Sequence, residues 1–193
     1  MSKPVILLGA GGHAAVVADA LLASGGEIAG VVDPSYTPGD EWRYGLRVLG
    51  DDQCINDYAV DEIALVNGLG VLPGQNRRRA LYQHWRGRGY AFTAVVHPAA
   101  IVGRQVTIGE GVQIMAGAVV NSGASLGPNT IINTRAVIEH DVAVGDHCHI
   151  APGAVVCGDC RVQVDCFVGA GAVVIQGQIL TPGTVVPAGA CVR

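Results

Sequence analysis

The sequence predicts two units in series: a small α/β unit with a parallel sheet over residues 1–94, then a parallel β-helix of six-residue repeats over residues 95–193. Three observations predict it. Up to about residue 90, short apolar runs alternate with helix-like stretches. From Val96 to Val192 an aliphatic residue stands at every sixth position without a miss. Aromatics are only 5% of the chain while it holds 28 glycines, a composition for close-packed strands with many tight corners rather than an aromatic-rich core.

The elements of the first unit follow in order. Val5–Ala10 is an apolar run that ends in Gly9-Ala10-Gly11-Gly12-His13. Ala14–Ser24 is alanine-rich and closed by Gly25-Gly26, as a helix is. Ile28–Asp33 reads as a second strand and Ile63–Asn67 as another. Arg77–Arg88 is a basic helix stopped by Gly89, and its arginines and His84 read as a solvated face. Strand–helix–strand alternation of this kind implies a parallel sheet.

In the second unit the register is strict. A small or β-branched residue follows each aliphatic position by four, with Gln178 the exception, and glycine often follows by one. A period of six fits neither the 3.6 of a helix nor the 2 of a lone strand. It fits one short strand plus a corner, three of which close a triangular coil of eighteen residues. Such coils stack about 4.8 Å apart through parallel strand pairing, with the aliphatic residue filling the prism. Cys148 and Cys166, eighteen apart, then stack as core residues, whereas Cys160 points inward and Cys157 outward. That divergence, and the lack of a second cysteine pair, argues against a zinc site and for free thiols. Asn121 and Asn133 are expected at solvent-facing corners, and His97 before Pro98 at the junction of the units.

A net charge of −4 excludes nucleic acid as the main partner, because phosphate binding needs a basic surface. No apolar stretch reaches the roughly 20 residues of a spanning helix. The start, Met1-Ser2-Lys3-Pro4 running straight into Val5-Ile6-Leu7-Leu8, lacks the form of a signal peptide, so a cytoplasmic protein is expected.

The repeat resembles the left-handed β-helix of hexapeptide-repeat acyltransferases. Gly9-Ala10-Gly11-Gly12-His13, Val31-Val32-Asp33, Val95-Val96-His97-Pro98 and the segment Ile132–Asp141 together resemble one subfamily of these. It comprises the bacterial sialic acid O-acetyltransferases and the N-acetyltransferases of nucleotide-linked 4-amino-4,6-dideoxy sugars. The resemblance implies a Rossmann-like sugar-nucleotide-binding domain followed by a catalytic prism, acetyl-CoA as co-substrate, no metal, and a homotrimer with the co-substrate lying between subunits. It implies transfer of acetyl to the sugar's 4-amino group, with O-acetylation of sialic acid as the alternative.

The resemblance also assigns residues. His140 is the general base and Asp141 its orienting partner, an aspartate where the family more usually has glutamate; from the residues alone, Glu139 and Asp141 each qualify as partner. His149, Ala170 and Ala188 match positions along the acetyl-CoA. Gly158 stands one coil beyond His140, where a missing side chain leaves room and a backbone N–H is offered to the acetyl carbonyl. Gly11, Gly12 and His13 match the nucleotide loop, whose amides open a helix and so suit phosphate. The loop lacks the third glycine of the dinucleotide fingerprint, which fits a sugar nucleotide better than a redox cofactor. Asp33, closing the second strand, is expected to accept from the base or ribose. A carbonic anhydrase on the same prism is disfavoured: Ser122 and Gly158 flank His140 by one coil, where stacked zinc-binding histidines are needed.

Overall fold

The computed structural model describes residues 3–193; Met1 and Ser2, where the expected cytoplasmic start begins, lie outside the described residues. The chain divides into two compact units. One holds the chain through Val71 together with Gln75–Thr93, and the other holds Leu72–Gly74 and Ala94–Arg193.

The first unit is built on a four-stranded parallel sheet. Its strands are β1 (Val5–Leu8), β2 (Ile28–Val32), β3 (Val48–Gly50) and β4 (Ala64–Asn67), in the order β3-β2-β1-β4. All four residues of the central β1 are buried, which is why they are all aliphatic rather than alternating. Helix α1 (Gly12–Ala23) follows β1 and packs on β1 and β2; helix α2 (Arg77–Gly87) packs on β4. Ile6 and Leu8 cluster with Tyr82 and Trp85 of α2 and with Tyr90 and Phe92 beyond it. The rings interlock: Tyr82 lies 4.7 Å from Phe92, and Trp85 is edge-on to Tyr90 at 5.4 Å.

Two differences from the sequence reading stand out. Strand β3 is not anticipated, since three residues ending in glycine carry too little periodicity to register. Helix α1 starts at Gly12 rather than Ala14, so Gly12 and His13 form its first turn.

The second unit is a left-handed β-helix. Two-residue strands form three parallel sheets of five, six and six strands. Each pairing joins residues eighteen apart, as Ser125 with Ala143, Ile131 with His149 and Val137 with Val155. The aliphatic series fills the interior from Ile114 to Val186, and the small series shares it: Ala118, Ala136, Ala154 and Ala172 are fully buried beside it. Small side chains are therefore needed for volume as well as for turning. Cys148, Cys160 and Cys166 all lie in this core, while Cys157 does not. The hydrogen bond with Cys166 and burial hold the Cys148 thiol well above its ordinary pKa, so it stays protonated.

Each corner turns through a residue in the left-handed region, at every sixth position from Gln105 to Gly189. Seven of these are not glycine: Gln105, Asn129, Arg135, Asp141, His147, Asp159 and Asp165. Polar side chains, aspartate and asparagine above all, tolerate that conformation at modest cost. Among the described residues no helix is long and apolar enough to cross a membrane.

Candidate active site

His140 and Asp141 sit at one edge of the prism, on the corner that follows the strand Val137–Ile138. Ile138 points into the core, so the chain has turned outward by His140, whose side chain is 59% exposed. Asp141 occupies the left-handed corner position at φ 60°. That turn brings its carboxylate back alongside the imidazole, with His140 Nδ1 2.9 Å from Asp141 Oδ2.

A carboxylate accepts only, so Nδ1 carries the proton and Nε2 of the neutral ring keeps its lone pair. The Asp141 hydrogen bond raises the His140 pKa above its ordinary value, and the charges of Asp141, Glu139 and Asp159 push the same way. Glu139, the other partner left open by the sequence, is engaged elsewhere: its Oε2 accepts from Asn121 Nδ2 at 2.8 Å, one coil away.

Gly158 stacks over the ring. A Cβ on it would stand 2.7 Å from His140 Nε2 and 2.8 Å from Cε1, so any side chain there would collide with the imidazole. The coil ladder passes on either side of it, Cys157 N–H donating to Val174 O at 2.9 Å and Asp159 N–H to His140 O at 3.1 Å.

Ala170 and Ala188 lie exposed, one coil apart, on a different edge of the same prism. Gly189 N–H donates to Ala170 O at 2.9 Å, which joins the two coils there. His149 belongs to the strand His149–Ile150 on the face leading to that edge. It is 7% exposed, its ring edge-on to Phe167 at 5.0 Å and its Nε2 3.0 Å from Asn133 Nδ2. Asn133 is thus committed to a neighbouring side chain rather than to solvent alone. One chain therefore brings His140, Asp141 and Gly158 together and leaves Ala170 and Ala188 apart from them.

In the first unit, Gly11 is the N-cap of α1, and neither Gly11 nor Gly12 has an atom within 4 Å of where a Cβ would stand. The first-turn amides of α1, those of Gly12 and His13 among them, open at the C-terminal end of β1, where ligands of parallel sheets bind. A cavity of about 400 Å³ lies there, lined by Gly9, Gly11, Asp33, Asp52, Leu69 and Arg77 among others.

Asp33 Oδ2 accepts from the Ala10 amide at 2.8 Å and Oδ1 from the Ser35 amide at 2.9 Å. Burial by itself would raise its pKa; the Ser35 and Ala10 hydrogen bonds outweigh that and hold it below the ordinary value. In the same cavity Asp52 is pushed the other way, by burial and by the charges of Asp51 and Asp33.

Four residues in and around this cavity are not singled out by the sequence. Trp42 Nε1 donates to Ala10 O at 3.1 Å and pins the glycine loop. Arg77 and Asp52 line the cavity from α2 and from the turn after β3. Arg78, expected on a solvated face, is 3% exposed, and its Nη1 donates to Asn67 O at 2.9 Å and Leu69 O at 2.6 Å. Asn67 Nδ2 returns a bond to Arg78 O at 2.9 Å. Burial lowers the Arg78 pKa to about 9, which still leaves it charged near neutrality. Four nearby arginines mask the one that points inward, since helical phase alone does not fix which faces the loop after β4.

Among the described residues no group of three or more His, Cys, Asp or Glu side chains converges as metal ligands would. The described family PglD N-terminal domain matches residues 4–84, and the bacterial transferase hexapeptide family matches residues 105–138 and 123–158. No curated protein matches the chain.

Solved structures do. A perosamine N-acetyltransferase from Caulobacter crescentus, a variant with one histidine replaced by asparagine and in complex with CoA and GDP-perosamine, is 35% identical with a TM-score of 0.89. The match covers 99% of this chain and 89% of that one. The acetyltransferase domain of PglB from Neisseria gonorrhoeae is 29% identical with a TM-score of 0.90, over 100% of this chain and 92% of that one. The same domain has also been solved in complex with acetyl coenzyme A, again at 29% identity, with a TM-score of 0.88 over 100% of this chain and 93% of that one. With both units matched in sequence order and the prism edge carrying an oriented histidine, the chain belongs to the hexapeptide-repeat acyltransferases that bear a PglD N-terminal domain.

Proposed function

We propose that this enzyme moves the acetyl group of acetyl-CoA to the 4-amino group of a nucleotide-linked 4-amino-4,6-dideoxy sugar, with His140 as general base. The observation that carries the reading is the 2.9 Å contact of His140 Nδ1 with Asp141 on an exposed corner beneath a glycine. It leaves one basic nitrogen, Nε2, facing outward at the place where the chain has cleared a space.

The chemistry follows from that nitrogen. The neutral sugar amine attacks the thioester carbonyl while His140 Nε2 takes a proton from the attacking nitrogen. The carbonyl oxygen gains negative charge, and the Gly158 amide is the donor on hand to stabilise it. Collapse breaks the carbon–sulfur bond, and the departing thiolate takes the proton from the imidazolium. The amide and free CoA result, with His140 neutral again. Asp141 stabilises the imidazolium and keeps the productive tautomer throughout.

Support for the substrates comes from the relatives, one solved with CoA and GDP-perosamine and another with acetyl-CoA. The amides at the start of α1, from Gly12 and His13 after Gly11, are read as holding the diphosphate, and Asp33 as accepting from the base or ribose. Ala170 and Ala188 offer backbone and little bulk to the pantetheine, and His149 offers a ring edge. These residues and His140 lie on different edges of one prism, so they can line a single groove only between subunits. A homotrimer with three shared sites is therefore part of the reading, as are a cytoplasmic location and two domains at residues 1–94 and 95–193.

The test is CoA release with UDP-, GDP- and dTDP-linked 4-amino sugars and with free sialic acid, alongside light scattering. Acetylation of an amino sugar by a trimer is the expected result. Turnover with sialic acid alone, or full activity in a monomer, would overturn the assignment. Because the base must be neutral, activity is expected to fall as pH drops through the raised His140 pKa, and Asp141→Asn to move that acid limb to lower pH.

A further inference from the structure

We propose that Gly123 is a positioning residue for catalysis, an empty socket one coil below Asp141 that sets the carboxylate against His140. The inference rests on the reading of His140 as base.

Gly123 and Asp141 occupy the same corner in successive coils. A Cβ built on Gly123 would stand 2.5 Å from Asp141 Oδ1 and 3.5 Å from its Cγ. The first distance is far inside van der Waals contact. The carboxylate is therefore divided between two tasks. Oδ1 lies over the bare Cα of Gly123, and Oδ2 meets His140 Nδ1 at 2.9 Å. On the far side the imidazole lies against Gly158, again with no room for a Cβ. The acid–base pair thus occupies a notch cut through two coils, one glycine making room for the carboxylate and the other for the ring.

Backbone conformation does not by itself require glycine at this corner. Gly123 has φ +77°, but the corner below carries Gln105 and the one above Asp141 carries Asp159, both left-handed. What distinguishes Gly123 is the carboxylate above it. Gly183 supplies the matched case: φ +72° at an equivalent corner, with nothing within 4 Å of an added Cβ. Alanine at either position meets the same backbone strain, and only at Gly123 does it also displace a carboxylate.

The experiment compares Gly123→Ala, Gly183→Ala, Asp141→Ala and the Gly123→Ala/Asp141→Ala double variant. Readouts are the pH–rate profile, kcat against KM, and the NMR titration of His140, which needs no turnover. Gly123→Ala is expected to lower kcat about 10–100-fold, the usual range for losing an orienting partner, with little change in KM. The His140 titration and the acid limb should both move to lower pH, as the raising hydrogen bond is lost. Gly183→Ala should alter neither. In the Asp141→Ala background Gly123→Ala should add no further loss, because it acts through that carboxylate.

An unchanged His140 titration in Gly123→Ala, or an equal further loss in the Asp141→Ala background, overturns the proposal. If Gly123→Ala fails to fold, restoration of folding by Asp141→Ala supports the same contact, and failure to restore it counts against. Should the titration shift while His140→Ala keeps full activity, the base assignment falls and the positioning contact stands.

Discussion

The two units reach burial by opposite means. In the prism, position within the eighteen-residue coil decides a residue's surroundings, and a core of valine, isoleucine, leucine, alanine and cysteine suffices. In the N-terminal unit no count predicts the neighbours. Eight of the nine aromatics lie there, only Phe167 belonging to the prism, and Tyr82, Trp85, Tyr90 and Phe92 among them lock the sheet to α2 through single-use contacts. A repeated geometry needs only interchangeable side chains of the right volume. A geometry used once needs shapes that fit nowhere else, which is what large rings and a buried guanidinium supply.

Each unit carries its candidate site in its own style. The prism carries the exposed His140–Asp141 corner, whose flanking space comes from glycines one coil away. The N-terminal unit carries a cavity whose loop is fastened by Trp42, Asp33 and Ser35. The corner lies outside the core, so replacing its side chains is expected to leave the prism's stability intact.

The largest effect expected is on turnover. His140→Ala should lower kcat by about 10²–10⁴-fold, the range for removing a general base, with the thermal unfolding midpoint unchanged because the side chain lies outside the core. A fall in the midpoint together with activity would blur the distinction between corner and core.

Next comes Arg78→Ala, expected to destabilise by about 3 kcal/mol in urea unfolding, since the buried Asn67 carbonyl and the half-buried Leu69 carbonyl both lose their donor. A change near zero would mean that the inward arginine is not what fastens the loop after β4.

The smallest effect is the most diagnostic of periodicity. Ile138→Val and Ile150→Val should each cost about 1 kcal/mol and agree within a few tenths, because they fill the same layer geometry on two faces. The same change at Ile6 and Ile55, in single-use surroundings, should scatter more widely. Equal scatter in both units would erase the contrast.

The prism was largely legible in the sequence. Seventeen aliphatic positions at a fixed spacing gave the coil, and the coil gave Gly158 over His140 by counting eighteen. The same count from Asp141 leads to Gly123, so its signal was present, though glycines are too common in this chain for it to speak without the contact distance. Less was legible in the first unit. Strand β3 is too short to show a period, α1 begins two residues earlier than its alanine run suggests, and Arg78 is buried although its run of charged neighbours suggests a solvated face.

By itself the sequence determined the winding of the second half, which residues face its interior, and which corner carries the histidine. A chain that turns with constant pitch converts distance along the sequence into distance in space, so counting is enough. Between Asp141 and Glu139 the residues by themselves left the choice open and the resemblance favoured Asp141; tertiary structure alone decided that Glu139 turns to Asn121, that Arg78 turns inward, and that Trp42 reaches back to the glycine loop. Those outcomes depend on where side chains end after every neighbour has competed for the same volume and the same hydrogen bonds, a sum that no local pattern carries.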